Sequence, residues 1–133
     1  MIEVNNKTRQ KIDISLIKQV TARFLKQYNK QKFDVSIAFV SDQTIRRLNY
    51  QYRKINKTTD VLAFPGEENF LGEIIINCIQ VKRQARKFSN SYEQELVYIL
   101  VHGLLHLLGY NDTTEKERLK MEELAKKYIK NYK

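Results

Sequence analysis

The sequence predicts an α+β fold in one domain spanning residues 1–133: a small mixed sheet of about four strands, surrounding helices, and one helix buried in the middle. Three observations predict it. Apolar residues recur with period two in some segments and at helical spacing in others. From Leu96 to Leu108 only His102, Gly103 and His106 are not apolar, and a helix apolar on all sides is a central one. One proline and four glycines in 133 residues leave no linker, repeat or low-complexity tract to divide the chain.

The elements follow in order. "MIEVNN" reads as a short edge strand. "DISLIKQVTARFLKQYN" puts Ile17, Val20, Thr21, Phe24, Leu25 and Tyr28 at helical spacing, with Asp13 or Ser15 as N-cap. "FDVSIAFV" alternates Phe33, Val35, Ile37 and Phe39 on one face, the period of a strand. "SDQTIRRLNYQYRK" returns to helix with Ile45, Leu48 and Tyr52 inward. "DVLAFP" is a strand stopped by Pro65, and "LGEIIIN" is a buried strand. "CIQVKRQARKF" is a helix with Cys78, Val81, Ala85 and Phe88 inward and Lys82, Arg83, Arg86 and Lys87 outward. "SYEQELVYILVHGLLHLLG" opens with the capping box Ser91/Gln94, and Gly109 suits the left-handed turn that ends a helix. "TTEKERLKMEELAKKYIKNYK" opens with a second box, Thr114/Glu117, and turns Leu124, Ala125, Tyr128 and Tyr132 inward.

Composition narrows the function classes. No run reaches about 18 apolar residues, so no membrane span is expected. The first twenty residues lack the apolar core of a signal peptide. A single cysteine, Cys78, makes no internal disulfide and fits a reducing, cytoplasmic setting. The net charge is +9. Residues 1–66 hold 13 Lys/Arg against 5 Asp/Glu, whereas residues 67–133 hold 11 against 10. A basic half suits a polyanion such as RNA; it equally describes a lysine-rich soluble surface.

The chemistry concentrates in "VHGLLHLLGYND". Four residues advance a helix by about 400°, so His102 and His106 share a face one turn apart. Gly109 then breaks the helix, and the Tyr110–Asn111 turn can bring Asp112 back to the same point. The pattern H-x-x-x-H-x-x-G-x-x-D has the ligand spacing of a zincin-like metalloprotease signature, with a carboxylate for the third histidine. Gly103 stands where those proteases carry their catalytic glutamate, which argues against a peptidase. That glycine answers either to close packing or to the approach of a ligand. Two buried imidazoles without partners would cost several kcal/mol, and a metal satisfies both. Three protein ligands leave a fourth position open, as at a catalytic zinc. Two histidines and a carboxylate also suit non-haem iron(II).

With that motif in hand, the chain resembles the YbeY family of bacterial endoribonucleases. The family's H-G-x-L-H-L-x-G-Y-D-H stands here as "HGLLHLLGYND". Its L-N-x-x-Y-R and P-T-D-V-L-S-F-P stand as "LNYQYR" and "TTDVLAFP", and its L-G-D-I-x-I as "LGEIIIN". These blocks cover most of residues 48–112. Two departures are notable. The Asp-His ending is Asn111-Asp112, so the third histidine ligand becomes a carboxylate. The proline of the second block is Thr58, which is expected to loosen that turn slightly.

The resemblance implies a single-strand-specific, metal-dependent endoribonuclease, holding zinc or another divalent transition metal. It would act in the 3′-end maturation of small-subunit (16S) rRNA and in ribosome quality control, with the small ribosomal subunit as partner. His102, His106 and Asp112 would hold the metal, with His102 and Arg53 in the catalytic set. Arg53 lies about 80° from Ile45 on a helical wheel, at the shoulder of the buried face, where a guanidinium can clamp a phosphate or simply be solvated. Arg46, Arg47, Lys54 and Lys57 read as general phosphate contacts. Tyr50, Tyr52 and Phe64 read as stacking platforms or as core. Asp60 opens a strand and reads as a cap or ion-pair partner. A non-catalytic ribosome-assembly factor with a structural metal, or a metallohydrolase of another substrate class, are the alternatives.

Overall fold

The computed structural model describes residues 1–132. The order is β1 (Ile2–Asn6), α1 (Ile14–Gln27), β2 (Asp34–Val40), α2 (Asp42–Arg53), β3 (Val61–Pro65), β4 (Phe70–Asn77), α3 (Cys78–Lys87), α4 (Tyr92–Leu107) and α5 (Glu115–Asn131). The four strands form one mixed sheet in the order β1-β2-β4-β3. β1, β2 and β4 run parallel, and β3 pairs antiparallel with β4. The α+β expectation holds, with β1 at an edge as expected.

Strand periodicity splits the core. Val35, Ile37 and Phe39 of β2 face the main cluster together with Ile74 and Ile76 of β4. Ala38, Val40 and Ile75 face the other way, where Ile45 of α2 and Leu62 of β3 complete a smaller cluster. One side of the sheet therefore carries α2, and the other carries α4 with α1, α3 and α5 packed around it. α4 is buried over Leu96, Val97, Ile99, Leu100, Val101, Leu104 and Leu105, which accounts for its all-round apolar sequence.

Local chemistry fixes the ends. Asp13, rather than Ser15, caps α1, accepting from the Leu16 backbone N–H at 3.0 Å. Both expected capping boxes form, Ser91/Gln94 and Thr114/Glu117. β4 runs into α3 without a loop because Asn77 ends one and caps the other, its Oδ1 accepting from the N–H groups of Ile79 and Gln80. The same buried side chain donates through Nδ2 to Asp42 Oδ1 (2.6 Å), Thr58 Oγ1 (3.1 Å) and the Thr59 carbonyl (3.2 Å). Thr58 Oγ1 in turn donates to Asp42 Oδ1 at 2.9 Å. These bonds hold the turn that the missing proline was expected to loosen.

Three expectations are corrected. Phe33 lies in the turn before β2, because the strand begins at Asp34. Tyr52 is 60% exposed and Phe88 56% exposed. Tyr52 meets the edge of Phe64, ring centroids 5.3 Å apart. Phe88 is the C-cap of α3, past the stretch that α4 covers.

Candidate metal centre and its cleft

The site is built by how α4 is seated and how it ends. Gly103 lets the helix lie on the sheet: a Cβ there would stand 3.0 Å from Ile74 Cγ2 and 3.3 Å from Val61 Cγ2. Close packing, not a ligand, is therefore what this glycine serves. Gly72, at φ +149°, does the same one turn later, where an added Cβ would meet the Phe64 carbonyl at 2.5 Å and Leu107 Cδ2 at 2.6 Å. It follows a register irregularity between β2 and β4, the usual setting for a strand glycine.

Beyond Leu107 the helix closes with a Schellman motif. Gly109, at φ +99°, takes the left-handed position. The Tyr110 N–H reaches the Leu105 carbonyl at 3.1 Å and the Gly109 N–H reaches that of His106 at 3.0 Å. The chain thus doubles back, and the Thr114/Glu117 box restarts it as α5. Asp112 sits in this short return.

The three sequence-derived ligands converge. His102 Nε2 and His106 Nε2 are 3.1 Å apart. Asp112 Oδ2 stands 3.5 Å from the first and 3.4 Å from the second. Ligands at about 2.0–2.1 Å from a tetrahedral ion are separated by about 3.3 Å, so the triangle has the size of one face of such a shell. The donor set also calls for a cation. Two imidazole nitrogens and a carboxylate oxygen point at one another, and a single shared proton satisfies at most one of these contacts. His102 Nδ1 is buried without a hydrogen-bond partner, so no outside acceptor organises that ring. Burial, reinforced by His106, holds the His102 pKa below its ordinary value against the pull of Asp60 and Asp112. The ring is kept neutral, the form that binds metal. Side-chain exposures of 19%, 28% and 41% for His102, His106 and Asp112 leave the outer side open, where a fourth ligand would sit.

A cleft of about 910 Å³ opens beside His102 and Asp112. Asp60 lines it, accepting from Gln84 Nε2 at 3.2 Å and Thr59 Oγ1 at 3.3 Å. Tyr98 lies between Glu95 and His102 on α4. Its hydroxyl is pushed up to about 12 by burial and by Glu122, Glu95 and Asp60.

The basic residues singled out in the sequence lie elsewhere. Arg46, Arg47, Arg53, Lys54 and Lys57 are exposed on α2 and the loop after it, and α2 packs on the opposite side of the sheet from α4. Arg46 Nε donates to Asn56 Oδ1 at 3.0 Å. Arg53 ends α2, and Lys54 is its left-handed C-cap. None of the five lines the cleft. Its cations come instead from α3 and α5: Arg83, Lys87, Arg118, Lys126 and Lys130. Counting charge by halves of the chain hid them, because Glu and Lys alternate along α5. Their signal was the four-residue spacing of Arg118, Glu122, Lys126 and Lys130, one face of a helix.

Comparison with known proteins bears on the family and the fold. The family model described as Endoribonuclease YbeY matches residues 2–133. A relative of that name from Thermodesulfovibrio yellowstonii is 45% identical over 106 residues, covering 74% of this chain and 67% of the relative. One from Finegoldia magna is 37% identical over 119 residues, covering 85% and 78%. One from Phytoplasma australiense is 36% identical over 137 residues, covering 97% and 93%. The solution structure of a Thermotoga maritima protein superposes with a TM-score of 0.70 at 32% identity, covering 99% of this chain and 89% of that one. With the full-length family match, the shared fold and the convergent histidine pair together, the chain belongs to the endoribonuclease YbeY family.

Proposed function

We propose that this chain cleaves single-stranded RNA with one divalent metal, zinc by preference, held by His102, His106 and Asp112. Its substrate is the 3′ region of small-subunit rRNA, met on or near the small ribosomal subunit in the cytoplasm. The observation that supports this reading most is the triangle of donor atoms at 3.1, 3.4 and 3.5 Å beside an open cleft.

When bound, such an ion supplies Lewis acidity toward a phosphate oxygen or a water molecule. The chain's own residues do the rest. The His102 and His106 imidazoles and the Asp112 carboxylate would fix the ion's place and leave its cleft side open. Gly103 and Gly72 seat α4 so that this position does not wander. The family resemblance alone assigns Arg53 to phosphate charge and Arg46, Arg47, Lys54 and Lys57 to the flanking backbone of the RNA; since none of them lines the cleft, they would meet the strand outside it.

The test is metal content and cleavage of a labelled single-stranded RNA by wild type, Arg53→Ala and Asp112→Ala. Asp112→Ala should lose both metal and cleavage. Arg53→Ala should keep its metal and lose at least about tenfold in kcat/KM. Full-rate cleavage by Arg53→Ala removes that residue from the mechanism, and metal retained by Asp112→Ala removes the third ligand.

A further inference from the structure

The cleft is a trough made by three helices, and its chemistry changes along its length. α4 is the floor, through Glu95, Tyr98, Ile99 and His102, one helical face. α3 is one wall, through Gln80, Arg83, Gln84 and Lys87. α5 is the other, through Arg118, Glu122, Lys126 and Lys130. Twelve residues of α5 span about 18 Å, so the trough is long.

The metal end is acidic: Asp60 and Asp112 act on His102, and Glu122 on Tyr98 one turn along the floor. The far end adds exposed cations and an aromatic ring, Lys87, Lys126 and Lys130 with Phe88, which is 56% exposed, while its one carboxylate, Glu95, is buried and held by Gln84 Nε2 at 3.4 Å. Hydrogen bonds fix the order, because Glu95 at the distal end of the floor accepts from Asn90 Nδ2 at 2.9 Å, just past Phe88 in the chain. The cations differ in availability. Arg83 is engaged with Asp42 at 3.2 Å, and Arg118 lies 4.0 Å from Glu115. Lys87 lies 5.6 Å from the Phe88 ring centroid, and Lys87, Lys126 and Lys130 are exposed.

We propose that the distal end of this trough is an anchoring subsite for the RNA strand, about 10 Å from His102 along α4. Lys87, Lys126 and Lys130 hold phosphates, and Phe88 stacks a base. The carboxylates nearer the metal repel phosphate, so the backbone follows the rims. The anchor lies on one side of the scissile bond only, and binding there supports cleavage at the other end of the trough. This rests on the nuclease reading above and adds to it an anchor on one side of the scissile bond, separate from the basic face of α2.

The test uses the metal-loaded protein and an end-labelled single-stranded RNA, its integrity checked on a gel. Affinity is measured by fluorescence anisotropy across a salt series. Lys87→Ala/Lys126→Ala/Lys130→Ala should weaken binding by more than tenfold and reduce the log–log salt slope by about 2, at about 0.7 per phosphate contact on a single strand. Phe88→Ala should weaken it by about tenfold. Lys116→Ala/Lys120→Ala/Lys127→Ala, the same charge change on exposed residues of α5 outside the trough, should stay within about twofold. Substrates shortened on one side of the cleavage point should lose kcat/KM for wild type and lose little more for the triple variant.

Unchanged affinity and slope in the triple variant overturn the anchor, as does wild-type binding too weak to measure. So does loss of binding confined to a variant with Arg46, Arg47, Lys54 and Lys57 all changed to alanine. Cleavage by wild type, abolished by His106→Ala, is scored separately. The nuclease reading then stands or falls independently of the anchor.

Discussion

At the scale of single residues, Asp112 is the proposed third ligand, and its chemistry would set the character of the metal centre. Its carboxylate is harder than imidazole and adds negative charge to the site. Asp112→His should retain metal and shift preference toward zinc over manganese, read by competitive metal titration; an unchanged selectivity ratio would count against a ligand role. Asp112→Ala should cost at least about 100-fold in affinity, since even outer-shell changes cost about 10–100-fold. A second residue-scale prediction concerns Asp42. The Asn77 side-chain N–H, then Arg83 and Thr58, hold its carboxyl below the usual carboxylate range against the opposing effect of burial. A depressed pKa gives stability that is present above the unfolded value, near about 3.9, and is lost as pH falls through the folded one. Asp42→Asn should therefore be less stable than wild type at neutral pH and show a shallower loss on acidification below about pH 4. Parallel urea-denaturation profiles from pH 7 to pH 2.5 would refute this. The histidine pair and Asp112 were legible because helix geometry converts spacing into position. Asn77 was not. Its capping bonds are local, but Asp42 and Thr58 lie 35 and 19 residues away, and nothing in a linear reading joins them.

At the scale of elements, helix ends were readable because caps are local chemistry. Both capping boxes, the Gly109 turn and the Asp13 option for α1 follow from residues within a few positions of each terminus. Tyr52 and Phe88 show the limit. Periodicity says which way a side chain leaves its helix, not whether a neighbour extends far enough to cover it. The sheet shows another limit, since parallel and antiparallel pairing are set by distant partners. Gly72 belongs here as well, because its backbone strain and its contact with Leu107 arise from a strand irregularity. Gly72→Ala should destabilise the protein by about 2–4 kcal/mol, from overpacking and strain together. It should also weaken metal binding, because Leu107 adjoins His106. A variant with wild-type denaturation midpoint and metal affinity would show that α4 has another seat.

At the scale of the whole molecule, the fold class was legible and the distribution of charge was not. A near-neutral second half conceals a wall of cations because the acidic residues of α5 fall on neighbouring positions. The helix-by-helix wheel, rather than the sum, carries that information. Metal binding should be visible globally. An ion present at 100 times its dissociation constant adds about 2.7 kcal/mol to stability. A thermal melt should rise on metal addition and return on chelation, and Asp112→Ala should show no such rise; equal melting with and without metal would exclude a site of useful affinity.

The return between α4 and α5 is clamped at both ends, by the Schellman turn at Gly109 and by the Thr114 capping box. Asp112 is thereby placed by backbone geometry, without a core contact of its own. With Asp112 as the proposed third ligand, the donor at that position is set apart from the packing that holds the two histidines. A change of donor there should alter which ion is accepted while leaving the packed histidine helix and the stability of the domain as they are.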